Sequence, residues 1–284
     1  IAASFANSRA RSDRARRAGC YRRRMASRIQ RVTFTGSGGD LLAARLDLPA
    51  GPPRAFALFA HCFTCSKDLR AATCIAAQLT VAGFGVLRFD FTGLGASEGD
   101  FANTNFSSNV ADLVRAADFL REQYEAPQLL IGHSLGGAAV LAAAASVPEA
   151  RAVATIAAPA DPAHVAAHFT EARADIEARG EAEVLLVGRP FRIKKQFLDD
   201  IATHRLEAAI GGLKKALMVF HAPRDAVVGI DNASRIFLAA GAREVWIPDV
   251  YGTVVRSEVE ATQLSRRDLS PGKAKQAGMM VLSK

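Results

Sequence analysis

Five residues near the middle of the chain, Gly132-His133-Ser134-Leu135-Gly136, have the types and spacing of a turn that presents a serine hydroxyl for nucleophilic attack. A short apolar run at 128–131 precedes them and an Ala-rich run at 138–147 follows. The pattern therefore reads as strand, tight turn, helix. A turn that sharp holds the serine in a strained backbone conformation and crowds the positions two before and two after it, where only very small residues fit. Gly132 and Gly136 stand there, with Gly137 behind them where a helix must pack close to a sheet. A hydroxyl so placed performs acyl transfer when a base, an acid that orients the base and donors for the developing oxyanion surround it. The alternative is a glycine-rich turn with an incidental serine, and the rest of the chain weighs against it.

The elements needed to position such a turn follow from the apolar pattern. Short apolar runs alternate with helical patterns, the signature of a mostly parallel sheet with helices on both faces. Strands are predicted at 29–35, 41–48, 55–60, 85–89, 128–131, 152–157 and 217–220, the first two joined by a hairpin loop at 36–40. Helices fit 68–81, capped by Ser66 or Asp68, then 105–121, 135–147 and 231–240, the last opened by Asp231-Asn232. Between residues 160 and 213 the pattern changes to helical stretches at 162–179 and 196–209 flanking an amphipathic hairpin that turns at 188–190. An excursion of this length after the sixth strand predicts a lid over Ser134; a peripheral stabilising insertion is the other reading. Residues 243–247 could make one more strand, whereas 249–284 read as an atypical, poorly ordered tail.

Three further motifs follow strand ends in order. His61-Cys62-Phe63-Thr64-Cys65-Ser66-Lys67-Asp68 ends the third strand, Asp90-Phe91-Thr92-Gly93-Leu94-Gly95-Ala96-Ser97-Glu98-Gly99 follows the fourth, and His221-Ala222-Pro223-Arg224-Asp225 ends a later one. The glycines of the second motif do not form a dinucleotide fingerprint, because Gly99 falls one residue too late and no helix starts on it. With the Ser134 turn, these motifs resemble the α/β-hydrolase family from about residue 29 to 240. The wording of the first is similar to the hydrolase half of fusions with an OsmC-like domain, and the likeness is confined to that half. The resemblance implies an α/β-hydrolase fold and a serine hydrolase of carboxylic esters working through an acyl-enzyme on Ser134. It implies Asp225 as the acid and the backbone N–H groups of Phe63 and Leu135 as oxyanion donors, with no metal and no organic cofactor. The partner it implies is a small acyl substrate, which the apolar lid makes hydrophobic.

The resemblance also implies a histidine in a loop after the last strand, and none occurs after His221. The six histidines are His61, His133, His164, His168, His204 and His221. His61 is expected to hold the oxyanion loop, His164, His168 and His204 belong to the lid, and His133 points away from its neighbour Ser134. His221 is left as the possible base. A serine deprived of its histidine loses up to about 10⁶-fold in turnover. A catalytically inactive binding or stress-response module on the same fold is therefore the rival reading. The lost periodicity near Ala240 and the Ile1 start are together expected to reflect a reading-frame or truncation effect flanking a hydrolase core.

Charge and cysteines bound the remaining classes. The net charge is +8 and the isoelectric point about 9.7. Residues 1–24 carry +7 and residues 241–284 carry +2, leaving −1 for the rest. Basicity confined to the ends does not make a nucleic-acid surface on the domain, and the arm at 1–27 is read as disordered or untranslated. A mitochondrial transit peptide is its other reading. No apolar run approaches the roughly 20 residues that cross a bilayer, so the expected partners include neither nucleic acid nor membrane and the expected location is cytoplasmic. Cys62 and Cys65 have the spacing of a redox pair or half a zinc site. Without a second such pair, they are expected to be loop thiols in a reducing compartment, with a thiol-redox role as the third functional reading.

Overall fold

Residues of the central strands alternate between two apolar layers. A computed structural model describes residues 28–186 and 188–241 and, beyond them, the backbone of 244–248, 254–255 and 280–283. The strands are β1 (Arg28–Thr35), β2 (Leu41–Leu48), β3 (Ala55–Ala60), β4 (Phe84–Phe89), β5 (Pro127–His133), β6 (Ala152–Ile156), β7 (Glu181–Leu186), β8 (Arg189–Lys194), β9 (Ala216–Phe220), β10 (Glu244–Pro248), β11 (Val254–Val255) and β12 (Met280–Ser283). All but β7 and β8 join one sheet in the order β1-β2-β4-β3-β5-β6-β9-β12-β10-β11. The five central strands, β4 to β9, are parallel. In β3, Ala57 and Phe59 face one layer while Phe56, Leu58 and Ala60 face the other, as a period of two requires.

Helix α1 (Arg70–Val81) covers the first layer through Ala72 and Ala76. Helices α2 (Phe106–Gln123), α3 (Leu135–Ala143) and α7 (Asp231–Ala239) cover the second, which holds most of the core. The chain thus has the mostly parallel, doubly covered sheet that its apolar pattern predicts. Among the described residues no helix is long and apolar enough to cross a membrane.

Local capping differs from expectation in one helix. Neither Ser66 nor Asp68 caps α1, which starts after Leu69 without a side-chain cap, because Asp68 is drawn to Arg45 at 2.7 Å. Helix α7 opens at Asp231 as expected, and Asn232 accepts the Ala160 N–H at 3.0 Å, tying β6's exit to this helix. Helix α2 carries a full capping box: Asn105 accepts the Ser108 N–H at 2.8 Å and Ser108 Oγ accepts the Asn105 N–H at 2.9 Å.

The excursion after β6 holds a 3₁₀ segment (Pro162–Phe169), α4 (Arg173–Arg179), the β7–β8 hairpin, α5 (Lys195–Thr203) and α6 (Leu206–Gly211). Each helical stretch expected here is broken once. The second break falls at His204-Arg205, whose backbone is extended because His204 leaves its helix to meet Ser107 Oγ at 2.9 Å and the Phe106 ring. Strand β12 is a further departure. It enters antiparallel between β9 and β10, from a segment for which the apolar pattern predicts no packed element. The arm at 1–27 and residues 249–253 and 256–279 lie outside the described residues.

Candidate active site

Steric crowding makes the site. Ser134 follows the last residue of β5 and precedes α3 with φ 53° and ψ −125°, a left-handed conformation that an L residue adopts only at a cost of about 1–3 kcal/mol. Its N–H is held by the Ile156 carbonyl of β6 at 2.9 Å. A Cβ on Gly132 would stand 2.2 Å from the Gly136 carbonyl oxygen, and one on Gly136 would stand 2.3 Å from that of His61. The first turn of α3 therefore lies directly against the end of β3, which brings Leu135 beside the loop that carries Phe63. Leu135, the first residue of α3, has an N–H with no acceptor inside the helix.

The 61–68 loop is fixed from several sides. His61 is buried, and its ring can be assigned from its partners. Nδ1–H donates to the Cys62 carbonyl at 2.7 Å, and Nε2 accepts the Phe91 N–H at 3.4 Å. Burial holds its pKa below 6.5, which favours the neutral ring these bonds need. The Phe63 side chain packs among the rings of Phe101, Phe169 and Phe197, two of them from the excursion. Arg189 of the hairpin donates to the Thr64 carbonyl. At the loop's end, Asp90 accepts the Lys67 N–H at 2.6 Å, the Lys67 ammonium at 2.6 Å and the Ala96 N–H at 2.9 Å.

Ser134, Phe63 and Asp225 share one cavity of about 460 Å³. Its wall includes Ala157, Val227 and Val228, and the excursion contributes Val165, His168, Leu185 and Leu186. Asp225 Oδ1 accepts the N–H groups of Val227 and Val228, both at 2.9 Å, which fixes the carboxylate in its loop. The loop is also tied to the excursion by His164 Nε2 donating to the Val227 carbonyl at 2.8 Å. Three of the expected positions thus border one hollow, and Leu135 offers its N–H at the adjacent helix start.

His221, read from the sequence as a possible base, has a different task. Its Nε2–H donates to the Val228 carbonyl at 2.7 Å, it is buried, and it does not line the cavity. It braces the Asp225 loop from behind, with Nε2 at 4.0 Å from Oδ2. The imidazoles that do border the cavity are His133 and His168. Burial lowers the pKa of both; Asp225 partly opposes this at His133, and the neighbouring His164 adds to it at His168. Sequence order offered no signal for His168, since which side of a long insertion faces the sheet is a matter of packing.

Cys62 and Cys65 are joined in a disulfide, correcting the expectation of two loop thiols.

This geometry defines a nucleophile-elbow hydrolase fold, and comparisons agree. The chain is 52% identical to the esterase domain of a Rhodothermus marinus protein, over 75% of this chain and 84% of that one, with a TM-score of 0.59. The family model for serine aminopeptidase, S33, matches residues 51–179. Mouse alpha/beta hydrolase domain-containing protein 10 has the same fold at 24% identity, over 73% of this chain and 83% of that one, with a TM-score of 0.60. So does Est1E from Butyrivibrio proteoclasticus with ferulic acid bound, at 20% identity, 73% and 85% coverage and a TM-score of 0.62. No curated protein matches the chain. The chain belongs to the α/β-hydrolase family.

Proposed function

We propose that the protein hydrolyses carboxylic esters of hydrophobic acids through an acyl-enzyme on Ser134. The observation that carries this reading is the strained Ser134 elbow opening into a cavity shared with Phe63 and Asp225. The 52% identity to a protein described as an esterase domain supports it. Ser134 Oγ attacks the ester carbonyl while its proton passes to an imidazole. The resulting oxyanion accepts hydrogen bonds from the Phe63 and Leu135 N–H groups, each such donor contributing about 10²- to 10³-fold. The alcohol leaves with the proton, and water then releases the acid. No metal or organic cofactor enters these steps. The excursion acts as a lid, and its Val165, Leu185 and Leu186 together with Val227 favour an apolar acyl chain.

The proton acceptor in this reading is His168. His61 is buried with both ring nitrogens on backbone groups, His221 is buried with Nε2 on the Val228 carbonyl and away from the cavity wall, His164 holds Val227, and His204 sits at Ser107. His133 ends β5 beside Ser134, borders the same cavity and feels the Asp225 carboxylate, so it is the rival that the variants below test. His168 borders the same cavity as Ser134 and Asp225, reaching it from the excursion. His168→Gln is expected to lower kcat by about 10²- to 10⁴-fold with little change in KM. The base works only when neutral and its pKa is lowered from 6.5. The wild-type rate should therefore rise with pH through a value below 6.5 and then level off, and this acid limb should vanish in the variant. An intact limb in His168→Gln and its loss in His133→Gln would overturn the assignment.

A panel of p-nitrophenyl esters of increasing chain length tests the substrate class. Rising kcat/KM from acetate to medium chains is expected, and a preference for acetate would refute the apolar subsite. A catalytically inactive binding module is the second reading. It is favoured by one observation: among the described residues no hydrogen bond joins the Ser134 hydroxyl to an imidazole. A folded sample that neither turns over esters nor reacts with a fluorophosphonate would establish it.

A further inference from the structure

We propose that Cys62–Cys65 is a reversible disulfide that exchanges with small thiols entering the Ser134 cavity, and that its redox state sets the esterase activity by ordering the Phe63 loop. The second half of this statement rests on the esterase reading; the first does not.

The bond closes a ring around Phe63 and Thr64, with a Cα–Cα distance of 5.3 Å inside the roughly 4.4–6.8 Å range that a disulfide spans. The same four residues form a turn in which the Cys65 N–H donates to the Cys62 carbonyl at 3.2 Å. Phe63, whose N–H is the proposed oxyanion donor, is thus the residue whose backbone freedom the bond removes. Access comes from the same side. Cys62 lines the cavity with Ser134, and both cysteines are half-buried rather than sealed in the core. A structural disulfide meant to resist reduction would be shielded from thiols in solution; this one borders the substrate's own space.

The surroundings localise the effect. The carbonyl of Cys62 is held by His61, that of Thr64 by Arg189, and Lys67 by Asp90. Opening the ring therefore frees the short turn around Phe63 and leaves the anchors on either side in place. In the exchange, a thiolate attacks Sγ of Cys62, forming a mixed disulfide as the Cys62–Cys65 bond breaks and Cys65 leaves as a thiolate that takes up a proton. A second thiol attacks the mixed disulfide and releases Cys62. Two thiols are oxidised to one small disulfide as the protein gains two thiols, and the reverse reaction uses that small disulfide as oxidant.

The test uses the full chain incubated natively with excess reduced or oxidised glutathione. Each sample is split between alkylation, read by mass spectrometry of the peptide containing 62–65, and the rate of fluorophosphonate labelling at Ser134. The expected result is two added alkyl groups on that peptide after reduced glutathione and none after oxidised. Labelling should be slower in the reduced form by up to about 10²-fold, the cost of one oxyanion donor. Cys62→Ser/Cys65→Ser should be labelled at a rate that glutathione does not alter. Absence of added alkyl groups in the native protein overturns the exchange site. Equal labelling rates in two chemically distinct redox states overturn the control of activity. No labelling in either state refutes the esterase reading instead, while the alkylation result still decides the exchange.

Discussion

Ser134→Ala should abolish fluorophosphonate labelling and reduce ester turnover by about 10⁴-fold or more, the scale seen when a nucleophilic serine is removed from its machinery. The loss is chemical rather than structural. Alanine keeps the Cβ, so the elbow retains its φ of 53°, its hydrogen bond to Ile156 and the close approach of Gly136 to His61. The urea midpoint of this variant should shift by no more than the equivalent of about 0.5 kcal/mol. Ser134→Gly separates the two effects further. Glycine adopts a positive φ without strain, so this variant should be equally inactive yet more stable than the parent by about 1 kcal/mol. Residual labelling in Ser134→Ala, mapped to another residue, would show that the elbow is not the reactive centre. A variant that is inactive because it is unfolded would be recognised by its urea curve.

Asp90→Ala is expected to destabilise the domain by about 3–5 kcal/mol, the cost of leaving a buried partner charge uncompensated. Asp90 is fully buried and joins three segments: the end of the Phe63 loop through Lys67, the 90–99 loop through Ala96, and β2 through its own N–H to the Ala43 carbonyl. Its removal strands the ammonium of Lys67, a residue 8% exposed, with only the more distant Asp68 carboxylate at 3.8 Å among the described residues. It also orphans two backbone N–H groups. The tight fit around the carboxylate is visible at Gly95, where an added Cβ would fall 2.1 Å from Oδ2. Asp90→Asn, which keeps one acceptor and the shape, should lose less. Equilibrium urea unfolding of the three proteins checks the order, and a loss below about 1 kcal/mol in Asp90→Ala would refute the buried-pair account. Because His61 and Lys67 frame the Phe63 loop, folded Asp90→Ala should also react more slowly with a fluorophosphonate than the parent.

The parts of the site that could be read from the chain are those governed by local sterics. Gly132, Gly136 and Gly137 announce the elbow because a backbone atom lies within reach of each missing Cβ. Asp225 is expected near the site from its loop after an apolar run, and it lies on the cavity wall because the loop that leaves β9 runs along the rim of the sheet. His221 is a possible base in sequence, yet four residues separate a carboxylate on the cavity wall from an imidazole bonded to the Val228 carbonyl. The side toward which a loop residue turns depends on carbonyls supplied by residues further on, and spacing does not encode that.

Sequence by itself determined the alternation of strands and helices, the strained corner at Ser134 and the order of the motifs, because each depends on neighbours a few residues apart. Tertiary structure alone decided which distant residues line the cavity beside the serine. His168 borders the cavity from an excursion far along the chain, the break at His204-Arg205 follows from the contacts of His204 with Ser107 and Phe106, and β12 finds its place between β9 and β10 by pairing with strands distant in the chain. Long-range pairing and the facing of an insertion are settled by which surfaces exclude water together, a property of the assembled fold rather than of any short stretch of residues.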